Sequence, residues 1–256
     1  MKTLLGIIAC LVLMCGSAFG QAVLVQAKNN NASSGGGANV DVTVTSTGSG
    51  NLLFALGVST QSTNAITVSS TNNTWTAITG INSSTACFHS QFTNAGCQAA
   101  YTCNSVSGDT TIHFAGPGFS AITGVVLEFS GVATSSCSDQ VSALVAVAAG
   151  SPISSNNITT SQSDLVIGIA TVTQPAGLSA GTGYTTQAAS IVSDAAGAAT
   201  DVLLEWSLNH ASGTFNATAG TTAGSGGIGV VSFKLAAASA TSGFSKKGKL
   251  KKYGLF

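Results

Sequence analysis

Two glutamates sit inside apolar, strand-like runs: Glu128 in Val-Val-Leu-Glu-Phe and Glu205 in Leu-Leu-Glu-Trp. Paired carboxylates are the equipment of glycoside hydrolysis, one acting as acid and the other as base or nucleophile. In an alternating strand, however, Glu128 points away from Leu127 and Phe129, and Glu205 away from Leu204 and Trp206. The plainer expectation is that both face solvent or take hydrogen bonds near a sheet edge, so no residue is assigned a catalytic role. His89, His113 and His210 are isolated from one another. Serine is abundant, but no Gly-x-Ser-x-Gly elbow leads into a helix.

Four aromatic residues are the candidates for ligand binding: Trp75, Tyr101, Tyr184 and Trp206. Together they offer a platform for sugar rings. They also fall at matching points of an internal repeat, Trp75 with Tyr184 and Tyr101 with Trp206, and that placement favours packing. Phosphate loops are absent, because the glycine-rich stretches at 35–37 and 224–229 lack the Lys-Ser/Thr ending. Asp109, Asp139, Asp194 and Asp201 show no calcium-loop spacing. No cofactor and no metal is expected.

The chain has six cysteines. Cys10 and Cys15 lie in an N-terminal segment with a lysine at its start, an apolar stretch from Leu4 to Met14 and a small-x-small site at Ala18-Phe19-Gly20. These are the marks of a secretory signal peptide over residues 1–20, with the mature chain starting at Gln21. Cys87, Cys97, Cys103 and Cys137 remain. In an exported chain four cysteines imply two disulfides with three possible pairings. Cys87–Cys97, closing a hairpin-like loop, together with Cys103–Cys137 is the preferred one. The metal alternative, Cys87, His89, Cys97 and Cys103, matches no familiar zinc spacing.

Charge sets further bounds. Only 6% of the 256 residues are charged and none is arginine, against about 25% charged in ordinary soluble domains. Five of the eight lysines, Lys246, Lys247, Lys249, Lys251 and Lys252, sit in the C-terminal tail. From Gln21 to Ser245, only Lys28 and Lys234 oppose all eight acids. The tail, residues 237–256, is expected to be a solvated, disordered end, and its sharper reading is attachment to an anionic cell-surface polymer. A nucleic-acid partner is not expected, because the body has no basic face.

The elements that must position these residues occur twice. Asn51-Leu-Leu-Phe-Ala-Leu-Gly-Val58 answers Asp164-Leu-Val-Ile-Gly-Ile-Ala-Thr171. Gln98-Ala-Ala-Tyr-Thr102 answers Leu203-Leu-Glu-Trp-Ser207, and Gly124-Val-Val-Leu-Glu-Phe-Ser130 answers Gly229-Val-Val-Ser-Phe-Lys234. With 31 glycines, three prolines and no capped helical period, the chain is expected to be all-β. Four or five strands per half are too few to close a core alone. The expectation is a single domain over 21–236, a jelly-roll-type β-sandwich of two antiparallel sheets built from two similar strand series.

Residues 38–236 resemble a group of exported bacterial β-sandwich domains. The resemblance rests on Gly-Asn-Leu-Leu-Phe-Ala-Leu (50–56), Ser-Ser-Thr-Asn-Asn-Thr-Trp-Thr (69–76), Leu-Glu-Phe-Ser-Gly-Val (127–132) and the final Val-Val-Ser-Phe-Lys (230–234). It implies an extracellular sandwich and brings no activity with it. The expected function is a secreted or cell-surface, non-enzymatic structural or adhesive protein. A carbohydrate-binding module on an extracellular glycan is the first alternative, and a glycoside hydrolase-like enzyme the second.

Overall fold

The computed structural model describes residues 20–33, 39–59, 66–82, 87, 96–116, 121–148, 150, 152–173, 177–193, 200–221 and 225–237. Residues 1–19, which hold all but the last residue of the expected signal peptide, His89 and the tail lysines Lys246, Lys247, Lys249, Lys251 and Lys252 lie outside them.

The first half contributes β1 (Val23–Ser33), β2 (Val40–Thr43), β3 (Leu52–Ser59), β4 (Thr67–Ser69), β5 (Thr76–Ala77), β6 (Gly96–Thr102), β7 (Thr111–Ala115) and β8 (Ala121–Ser130). The second contributes β9 (Ser138–Val147), β10 (Ile153–Ser154), β11 (Ile158–Thr160), β12 (Asp164–Thr173), β13 (Ser179–Ala180), β14 (Ile191–Ser193), β15 (Thr200–His210), β16 (Gly213–Phe215), β17 (Thr218–Gly220) and β18 (Gly226–Lys234). Among the described residues the only helical piece is a single 3-10 turn, Ala188–Ser190. No helix of the described residues is long and apolar enough to cross a membrane.

Each half builds a five-stranded sheet, β1-β8-β3-β6-β5 and β9-β18-β12-β15-β14, with antiparallel pairing throughout. The repeated phrases occupy equivalent places: β3 and β12 are the central strands, flanked by β8 and β6 in one sheet and by β18 and β15 in the other. Thr76 pairs with Tyr101 in the first half, and an isolated bridge joins Thr185 to Trp206 in the second. Shorter strands form further sheets: β2-β7-β4 in the first half, β10-β17-β13 and β11-β16 in the second.

The all-β, antiparallel expectation holds. Among the described residues the strands fall into several antiparallel sheets, two large and three small. The count of strands per half was too low because strands of two to five residues carry too little alternation to be recognised.

The central strands explain the layering. β3 and β12 are buried along their whole length. A strand buried on both faces reads as a continuous apolar run rather than an alternating one. One face of each large sheet meets the other large sheet in a shared core, where Leu52, Phe54, Leu56, Leu127 and Phe129 pack with Leu165, Ile167, Ile169, Leu204, Trp206 and Phe233. The outer face of the first is covered by Val40, Val42, Ile66, Ile112 and Phe114, which close over Ala55 and Val126. The outer face of the second is covered by Ile153, Ile158, Ala217 and Ala219, which close over Val166, Ala170 and Leu203.

Ring contacts in the shared core are reciprocal. Tyr101 of the first half stands edge-on to Phe233 of the second at 5.4 Å. Its counterpart Trp206 stands edge-on to Phe129 of the first half at 5.9 Å.

Both disulfides take the preferred pairing, Cys87–Cys97 and Cys103–Cys137. Cys87 and Cys97 lie in the shared core, and the Thr171 hydroxyl of β12 donates to the Cys87 carbonyl. The bridge therefore fixes a first-half segment against the central strand of the second half. Cys103–Cys137 spans 34 residues and ties the end of β6 to the start of β9. Loop-closure entropy gives this bridge about 3–4 kcal/mol of stability. The Cys103→Ala/Cys137→Ala double variant is expected to lose about that much in urea unfolding. A loss below about 1 kcal/mol would show that the loop is closed without the bridge.

Candidate functional site

The site is best built from β6. Along this strand Cys97, Ala99 and Tyr101 point into the shared core, leaving Gln98 and Ala100 on the outer face. Beside them lies a cleft of about 290 Å³, lined by Ile66, Thr67, Val68, Trp75, Ala77, Gln98 and Ala100. The sequence places these residues on three elements: β4 gives Thr67 and Val68, β5 and the residue before it give Ala77 and Trp75, and β6 gives the floor. β4 ends its sheet and β5 ends the other, so the cleft lies where the sandwich of the first half opens between two strand edges.

Trp75 is half-buried against the outer core and donates its indole N–H to the Ser70 hydroxyl at 3.0 Å. That bond uses the polar edge of the ring and leaves its apolar surface for the cleft. Gln98 is buried and donates to the Ala99 carbonyl at 2.7 Å. Among the described residues no charged side chain lines the cleft.

The other candidate aromatics do not join Trp75. Tyr101 packs on the inner face, and Tyr184 packs against the outer core of the second half, donating its hydroxyl to the Asn216 carbonyl at 3.1 Å. Trp206 is 2% exposed in the shared core, so its expected role as a ligand contact is corrected: no surface of the ring is available. The four-residue platform does not assemble. Equivalent points of a repeat land in opposite halves, and Tyr101 and Trp206 face inward because their neighbours Ala100 and Glu205 face outward.

Of the two expectations for the glutamates, exposure to solvent is corrected, while both carboxylates do take hydrogen bonds. Glu128 is fully buried, yet its carboxylate is well supplied with donors. Gln26 Nε2 donates to Oε2 at 2.5 Å, while Gly48 N and Asn51 Nδ2 donate to Oε1 at 2.8 and 2.6 Å. These bonds pin the turn before β3 to β8, so Glu128 serves as a structural anchor.

Glu205 is 1% exposed. Its Oε2 accepts from Gly181 N at 2.7 Å, and Oε1 has no hydrogen-bond partner among the described residues. Gly168 on β12 makes room for it, since a Cβ there would lie 2.6 Å from Oε1. Burial raises the carboxyl to about 7 against the one amide bond that opposes it. Burial and the neighbouring Glu205 together push the Tyr184 phenol above its ordinary value.

Alternation was the right tool but rested on a wrong premise. It assumed that the face opposite the apolar neighbours meets water. In this fold that face meets a second layer, so Glu128 and Glu205 are buried on the outer sides of two different sheets. Leu127, Phe129, Leu204 and Trp206 fill the core between them.

Two aspartates were missed as structural residues. Asp109 accepts from Asn72 N at 2.9 Å and Asn73 Nδ2 at 2.7 Å. Burial pushes its carboxyl up, but bonds from Asn73, Ser70 and Asn72 outweigh burial and hold it below the usual value. Asp164, at the start of β12, is fully buried and raised to about 6. Burial is the main cause; a bond from Ser232 opposes it, and the charge of Asp139 adds to it.

The described histidines do not form a catalytic group. His113 is exposed and pairs with Asp41 across β2 and β7 at 2.7 Å. His210 stacks on Phe215 at 4.0 Å, and burial lowers its pKa. Among the described residues no three His, Cys, Asp or Glu side chains gather to hold a metal ion.

No family model, curated protein or solved structure matches this chain.

Proposed function

We propose that the chain is an exported, non-enzymatic β-sandwich protein serving structure or adhesion at the cell surface, of the kind its strand phrases resemble. The observation that carries this reading is the divergence of the two buried glutamates. A glycosidase needs its two carboxyls about 5–9.5 Å apart on either side of one bond. Glu128 and Glu205 point away from each other across two sheets that, by general geometry, pack about 10 Å apart. One is consumed by three donors and the other is sealed in an outer layer. The two disulfides and the nearly uncharged Ser/Thr/Asn surface support an extracellular setting. The strand orders β1-β8-β3-β6-β5 and β2-β7-β4, two sheets from eight strands, support a jelly-roll type for the first half.

A carbohydrate-binding module is the second reading, and the Trp75 cleft favours it. The test of the main reading has two parts. Cells expressing the chain are fractionated with and without residues 242–256, and the purified protein is offered a panel of polysaccharides for hydrolysis. The expected result is surface or medium localisation, attachment that falls on deleting the tail, and no turnover. Hydrolysis that disappears in Glu128→Gln or Glu205→Gln would overturn the non-enzymatic reading.

A further inference from the structure

We propose that the cleft beside Trp75 is a binding site for one uncharged sugar ring of an extracellular glycan. This rests on the adhesive reading and names the chemistry of its contact.

Comparing the two halves shows why the cleft exists. Where the first half carries Gln98 and Ala100, the equivalent strand of the second carries Leu203 and Glu205. Leu203 is part of the outer core there, and Glu205 reaches the Gly181 amide. Tyr184, the counterpart of Trp75, is tied to Asn216 across the same region. The second half therefore fills the space with a long acid and a tethered phenol. The first half puts a methyl group in place of the acid and leaves a space of about 290 Å³ beneath an indole.

The lining selects the ligand. Among the described residues it holds no charge, so an ionic group would lose its hydration without compensation from them. Trp75, Ile66, Val68, Ala77 and Ala100 offer apolar surface, while Gln98 and Thr67 add an amide and a hydroxyl. A pyranose matches this pattern, with C–H groups on its faces and hydroxyls round its rim. The volume sits at the lower limit of small-ligand sites, about 300 Å³, which suits one ring. An extended peptide is disfavoured, because the flanking edges β4 and β5 offer only three and two residues for pairing.

The experiment follows tryptophan emission of the mature chain during titration with neutral oligosaccharides, an acidic polysaccharide and a short apolar peptide. The chain has only two tryptophans, and Trp206 is buried, so a ligand-dependent change reports Trp75. At least one neutral oligosaccharide is expected to give a saturable change. Trp75→Ala should weaken binding roughly five- to tenfold, followed by calorimetry because the reporter is lost. Ala100→Met fills the cleft while leaving Trp75 in the sequence and should weaken binding as strongly, with a cooperative unfolding transition showing that the variant is folded.

Binding that survives both substitutions overturns the site. A blank neutral panel, or a response to the acidic polymer or the peptide alone, overturns the ligand class. If the protein still adheres to cells in those cases, the adhesive reading stands while this inference falls. If it neither adheres nor binds sugar, both fall.

Discussion

Between pH 4.5 and 7, the wild-type protein is expected to lose about 3 kcal/mol of stability that a Glu205→Gln variant keeps. The cause is the sealed carboxyl of β15, raised from 4.5 to about 7 by burial. Below pH 4.5 the group is protonated in both folded and unfolded chains and does not influence their balance. As pH rises through the window, the unfolded chain gives up its proton while the folded chain retains it. The folded state then binds more protons, and its stability falls with pH until the folded group also ionises. Glutamine keeps an oxygen for the Gly181 amide and has nothing to ionise.

Comparing the two proteins isolates Glu205 from other titrating groups. Asp164, raised to about 6, drives stability in the same direction. His210, lowered by burial, works the other way below its ordinary 6.5, because the unfolded chain takes up that proton first. Asp109, lowered, contributes stability that is lost as pH falls below 3.8. Urea midpoints at half-unit steps from pH 4 to 8 measure the difference, and parallel curves for wild type and variant would refute the assignment.

The second large effect is expected at Trp206. Its truncation to alanine removes the largest fully buried side chain from the shared core. The cost should be about 3–5 kcal/mol, as for other buried aromatic truncations. Phe129 is its edge-on neighbour across the two halves. A double-mutant cycle with Phe129→Ala should show a coupling of about 1 kcal/mol. Additive losses would mean that the two rings do not support each other across the halves.

Much of this fold was legible in the chain. The runs from Leu52 and from Leu165 contain no polar alternation, which is the mark of burial on both faces, and these strands are the sheet centres. The doubled phrases gave the right correspondences, since Tyr101 and Trp206 occupy matching positions next to Thr76 and Thr185. Cysteine spacing pointed to the right bridges.

What stayed hidden was the second layer. β4 has three residues, and β10 and β13 two each, too short to leave a pattern. Without the turn that carries Gly48 and Asn51 to Glu128, and the Gly181 amide that β13 brings to Glu205, both carboxylates look solvent-facing. The cleft was hidden for the same reason. Trp75 could be named as an aromatic candidate, but only β4 and β6 show that its neighbours are Ile66, Gln98 and Ala100.

The reciprocal ring contacts have a consequence for how such a molecule comes apart. Tyr101 meets Phe233 as Trp206 meets Phe129, which is the i-to-j, j-to-i relation of a self-complementary two-fold interface. The two halves of the chain are related to each other as the subunits of a two-fold homodimer are. Joined in one chain, the two halves need not be identical: one has an open cleft while the other seals the same place with an acid. Either copy expressed alone would carry the bare Leu-Phe-Leu or Leu-Ile-Ile face of its central strand into water, and would have to regain a partner to cover it.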